Sequence, residues 1–140
     1  MRFLEKIAKK YEIYAMGEFP KKAFDSYLET LLWASTDEST PEGGDPLDAN
    51  YDVSDISEET KTKIKKDIEK FYQKAESAGV DLTKYDDDSI GHDFFLTRCG
   101  HGAGFWDGDY DDNDGKLLTK ICHHFGEVNP YVGDDGKIHT

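Results

Sequence analysis

The run from Lys21 to Ala34 constrains the fold more than any other: Phe24, Tyr27, Leu28, Leu31, Leu32 and Ala34 recur at three- and four-residue intervals, with Trp33 beside them. At 3.6 residues per turn these positions share one face, so the run predicts a core helix that must be covered by other elements. A second stripe, Ile64, Ile68, Phe71, Tyr72 and Ala75, has defined ends. Ser57 suits an N-cap, Glu58 and Glu59 suit the positive end of the helix dipole, and Gly79 is a natural stop. The six lysines of this segment interleave with acids and read as a solvated outer face. Phe3, Leu4, Ile7, Ala8, Tyr11 and Tyr14 predict another helix before Gly17 and Pro20, and residues 116–125 predict one closed by Gly126.

Between the two strong stripes the chain changes character. Residues 36–55 hold seven acids, two prolines, two glycines and no lysine or arginine. Such a stretch cannot sustain a long regular element, so 36–56 is expected to be an acidic surface loop, pinned by Leu47, Tyr51 and Val53. In the last third, 92–98 and then 103–106 read as short strands. Residues 107–115 read as an acid-rich loop, and 131–139 as a β-hairpin turning through Gly-Asp-Asp-Gly. The expected architecture is α+β: three to four helices packed on a small antiparallel sheet formed mainly by the C-terminal half, in a single domain over 1–140. There is no internal repeat.

Charge narrows the class of partner. Thirty acids against 17 basic residues give a formal net charge of -13. Direct nucleic-acid binding, which depends on lysine and arginine neutralising phosphates, is not expected, and neither is an anionic membrane surface. A basic protein surface is better matched. Cys99 and Cys122 form no disulfide framework. The N-terminal run lacks the apolar core of a signal peptide, and no window is long and apolar enough to span a bilayer, so the expected compartment is cytoplasmic.

The unusual segment is 91–107, GHDFFLTRCGHGAGFWD, with two His, two Asp, one Arg, four Gly and four aromatics in 17 positions. Read as a strand, 92–98 puts His92, Phe94, Leu96 and Arg98 on one side and Asp93, Phe95 and Thr97 on the other. His92 and Arg98 then share a face, and the glycine turn brings His101 close. His92 or His101 with Asp93 forms a sensible acid/base pair, and Arg98 could hold a carboxylate or phosphate through its planar fork. The candidate ligand-binding set is Arg98, Gly100, His101, Gly102, Gly104 and Trp106. The candidate catalytic set is His92, Asp93, Arg98 and His101. The competing reading is a tight hairpin whose His and Arg satisfy buried backbone groups. No helix is expected directly after GHGAG, so the helix N-terminus of a phosphate-binding loop is missing.

Metal signatures are incomplete. Asp107, Asp109, Asp111 and Asn113 alternate as oxygen ligands do in a calcium loop, but the glycine is misplaced and the closing Glu is absent. Cys99 with His101, and Cys122 with His123 and His124, lack paired zinc spacing. No cofactor is expected. A nucleophilic Cys99 near His101 is formally possible, although a lone cysteine beside a glycine turn is more often a small residue that fits.

The block 91–107, with YVGDDGKI at 131–138, resembles a family of small acidic bacteriophage-encoded proteins of uncharacterised function. Its members carry a block close to GHDFWLTRNGHGAGFWDR and a terminal YVGDDGKIY. The likeness covers His92, Asp93, Thr97, Arg98, Gly100–Asp107 and Tyr131–Ile138, and touches Leu32–Glu38 and Pro46–Asp48. Cys99 stands where the family has Asn, and the DYDDND run replaces a shorter turn. The resemblance implies a phage source and, with the charge, an accessory protein acting on a host factor. Such a protein would occupy a basic host surface or capture a small anionic, nucleotide-like ligand at the His92/Arg98/His101 surface. The alternative is a small hydrolase, with or without a metal, using His92, Asp93, Arg98 and His101.

Overall fold

Lys21–Ala34 forms helix α1, and it buries the predicted Phe24, Tyr27, Leu28, Leu31 and Leu32 together with Ala23, while Ala34 is only half-buried and Trp33 stays half exposed. The structure, a computed structural model, describes residues 19–100, 104–106 and 109–140. The helix predicted over Phe3–Tyr14 lies outside those residues, as do His101, Gly102 and Asp107.

Helix α2, Glu58–Ser77, starts and stops where its chemistry directs. The Ser57 side chain accepts from the Thr60 amide, Glu58 and Glu59 occupy the first turn, and Gly79 follows at φ +94°. Helix α3 spans Asp87–Arg98 and helix α4 spans Asp112–His123. Two antiparallel pairs complete the regular structure: β1 (Thr36–Asp37) with β2 (Asp45–Pro46), and β3 (Tyr131–Val132) with β4 (Ile138–His139). The architecture is α+β, with four helices among the described residues. The expected small sheet is present as two separate hairpins, one of them inside the acidic segment.

Residues 92–98 are a correction: they form the second half of α3, not a strand. Ile90, Gly91 and every residue from Asp93 to Arg98 are buried. A helix buried on nearly all sides shows no outward polar period, so its sequence resembles a short buried strand. Gly91 explains the close packing. It lies on the backbone of Ala23, and a Cβ there would collide with the Ala23 carbonyl oxygen. Helix α4 likewise begins four residues before the expected start, absorbing Asp112–Gly115 into its first turn. Gly104–Trp106 forms a bend and turn instead of the expected strand.

The core is aromatic at its centre. Phe71 of α2 stacks on Phe94 of α3 at 4.4 Å and on Phe105 at 5.3 Å, and Tyr27 meets Phe95 edge-on at 5.2 Å. Such pairs add about 0.5–1.5 kcal/mol each beyond the area they bury. The acidic segment is tied to this core by Leu47 and Ile56, both buried, with Tyr51 and Val53 half-buried against it. Ile56 also bridges in parallel to Ile138, and the Ser57 amide donates to the Ile138 carbonyl at 2.9 Å. No described helix is long and apolar enough to cross a membrane.

Candidate functional site

Helix α3 turns by about 100° per residue, so it cannot present His92 and Arg98 together as a strand would. The six-residue separation leaves them roughly 120° apart, each with its own neighbours.

On one side, Asp93 is buried and links two rings. Its Oδ1 accepts from His92 Nδ1 at 3.0 Å, and its Oδ2 accepts from the Tyr110 hydroxyl at 2.8 Å. A carboxylate only accepts, so Nδ1 carries the imidazole proton and Nε2 is left as the second functional atom of His92. Nε2 makes no hydrogen bond among the described residues, and the His92 side chain is 39% exposed. The His92 ring lies 5.6 Å from the Trp33 ring at 31°. Trp33 is itself 48% exposed, an indole at the surface beside an oriented imidazole.

On the other side, Arg98 is buried and occupied. Its Nε donates to the Gly126 carbonyl at 3.1 Å and its Nη2 to the Phe125 carbonyl at 3.0 Å. Nη1 donates to the Tyr27 hydroxyl at 3.2 Å and to Asp67 Oδ2 at 2.9 Å. Phe94 and Phe125 lie against the guanidinium, 5.3 and 5.9 Å from ring centre to Cζ. Arg98 therefore ties α3 to α1, α2 and the turn after α4. Burial pushes the Tyr27 phenol well above its ordinary range, with Arg98 pulling more weakly the other way, so its hydroxyl keeps its proton.

The glycines near this point have conformational reasons of their own. Gly100 sits at φ +72° directly after Cys99, which ends α3. Gly104 packs on the Thr97 hydroxyl with no room for a Cβ, and that hydroxyl accepts from the Phe105 amide at 3.3 Å. Trp106 is 47% exposed. No contact among the described residues joins Trp106 to His92 or Arg98.

The calcium-like alternation breaks at Asp111, which becomes the N-cap position of α4 and pairs with Lys84 at 3.4 Å. Asn113 lies inside the helix and Asp109 is exposed. Among the described residues no cluster of three His, Cys, Asp or Glu side chains could hold a metal. Burial pushes the Cys99 thiol up to about 11 and the Cys122 thiol up to about 12, so neither is poised as a nucleophile.

Two features were not among the candidate site residues read from the sequence. Asp67 as the partner of Arg98 carries no local signal, being 31 residues away. Trp33 did carry one: it is the aromatic that falls off the α1 stripe, and its exposure follows. A similar pair occurs at the C-terminal hairpin, which lies beside β1. There the exposed Tyr131 stacks on His139 at 5.6 Å, and Asp135 accepts from the imidazole at 3.0 Å. Compared with known proteins, the chain matches no described family, no curated protein and no solved structure.

Proposed function

We propose that this chain is an accessory binding protein that occupies a basic surface on a partner protein. One observation carries the reading: the seven acids of 37–55, with no basic residue among them, lie on a folded segment that directly follows α1, whose penultimate residue is the half-exposed Trp33. Leu47 and Ile56 anchor that segment in the core. Asp37, Asp52 and Asp55 accept hydrogen bonds from nearby backbone amides, which limits its freedom. A preorganised surface loses less entropy on docking, and an aromatic anchor within a charged rim is the usual anatomy of an interaction hot spot. The resemblance to phage-encoded proteins supports a host factor as the partner and the host cytoplasm as the compartment.

The test is binding to a synthetic peptide rich in arginine and lysine, followed by tryptophan fluorescence in a Trp106→Phe background so that Trp33 reports. Affinity should fall steeply as salt rises past physiological strength, where the Debye length is about 8 Å. It should be lost when Glu38, Glu42, Asp45 and Asp48 are all changed to Lys. Binding indifferent to both salt and charge reversal overturns the reading.

A second reading, a small hydrolase using His92, Asp93, Arg98 and His101, draws support from the Tyr110–Asp93–His92 chain, which orients an imidazole whose Nε2 makes no hydrogen bond among the described residues. In that reading His92→Ala abolishes turnover of an ester or phosphoester substrate while the melting temperature stays nearly unchanged. Unfolding of the variant instead marks the histidine as structural.

A further inference from the structure

Tyr27, Lys63, Asp67, Arg98, Glu127 and Asn129 border a cleft of about 470 Å³. That size lies within the range of small-molecule sites. Two cationic side chains on its walls keep a donor without an acceptor among the described residues. Tyr27 is fully buried beneath this wall, where its hydroxyl accepts from Arg98, so it offers no donor to the cleft. Arg98 has five N–H bonds, of which four are used by Gly126, Tyr27, Asp67 and Phe125, leaving one on Nη2. The exposed Lys63 ammonium pairs with no described carboxylate.

Both donors are cationic, so an incoming oxyanion gains a charge-assisted hydrogen bond from each. The same walls carry Asp67 and Glu127, which repel a dianion and accept hydrogen bonds. The complementary ligand thus has one negative charge and at least one donor of its own.

We propose that this cleft binds a small amino or hydroxy carboxylic acid, with its carboxylate held by Lys63 and the remaining Arg98 N–H. Its amine or hydroxyl donates to Asp67 and Glu127. This site is separate from the Trp33 surface and does not depend on it. Arg98 recognises an anion here alongside Lys63, not alongside His92.

The test is titration of the ¹⁵N-labelled full chain with glycine and with lactate, with acetate as the comparison and sodium chloride as the ionic-strength control. Glycine or lactate should give saturable amide shifts at Tyr27, Lys63, Arg98 and Asn129. Acetate should bind about tenfold more weakly, as loss of one charge-assisted hydrogen bond implies. Lys63→Met and Glu127→Ala should each weaken the better ligand about tenfold. Lys63→Met, at an exposed position, should keep the wild-type melting temperature. Four results overturn the proposal: no saturable shift with glycine or lactate, equal affinity for acetate, shifts that follow ionic strength alone, or full affinity in both variants.

Discussion

Arg98 Nη1 lies 2.9 Å from the Asp67 carboxylate, joining the end of α3 to the middle of α2 across 31 residues of chain. The two ends of this pair are unequally exposed: the Arg98 side chain is 6% exposed and that of Asp67 31%. Removing the buried partner should therefore cost more. Arg98→Ala strands two carbonyls and a carboxylate and should destabilise by about 3–5 kcal/mol. Asp67→Asn, open to water, should cost about 1 kcal/mol. Urea unfolding of both variants checks the order, and equal losses would contradict it.

Gly91 should not tolerate a methyl group. Because a Cβ would meet the Ala23 backbone and not a movable side chain, Gly91→Ala must push α1 and α3 apart. A loss of about 3 kcal/mol, at the upper end for overpacking, is expected in thermal or urea unfolding. Gly79→Ala, which meets open space but sits at φ +94°, should cost less, about 1 kcal/mol.

The two thiols should be quiet in the folded protein. With Cys99 raised to about 11 and Cys122 to about 12 by burial, the thiolate fraction of Cys99 at pH 7 is ~10⁻⁴. A thiol-specific disulfide reagent should label neither residue readily until urea is added. It should then label both, and rapid native labelling of Cys99 would reopen its nucleophilic role.

Several exposed aspartates should titrate low. Hydrogen bonds from the Thr83 hydroxyl and amide hold the Asp81 carboxyl below its ordinary range, and Ser54 does the same for Asp52. Asp135 is held down by His139 first and the Lys137 amide second. Each folded-state pKa lies below the unfolded value, so the associated stability is present above about pH 4 and lost as pH falls through the lower folded-state value. Carboxyl NMR titration should show Asp81 returning toward the ordinary range in Thr83→Val. No change there would show that the hydroxyl is not the cause.

How much of this was readable from sequence differs by element. Helices α1 and α2 carried clear one-sided stripes and, for α2, a cap and a stop, and both lie where the spacing put them. Helix α3 did not. Its outer face is almost nonexistent, so the run from Asp93 to Arg98 offered no period to distinguish helix from strand. The proposed sharing of a face by His92 and Arg98 depended on that choice and went with it. The His92–Asp93 pairing is made by the helix itself: neighbours there diverge by only about 100°, whereas a strand would set them on opposite faces. Tyr110 and Asp67, the partners that decide what Asp93 and Arg98 do, come from other elements, and local patterning cannot specify such long-range meetings.

The parallel bridge from Ile56 to Ile138 has a consequence for the behaviour of the molecule in time. It joins the last turn of the acidic segment to the final hairpin, two stretches separated by α2, α3 and α4 in the chain. Amide protons in both should then exchange with solvent as a single opening unit, at a common free energy, while the aromatic centre stays closed. Whatever docks on the acids would, by holding that unit shut, be felt at the tail of the chain.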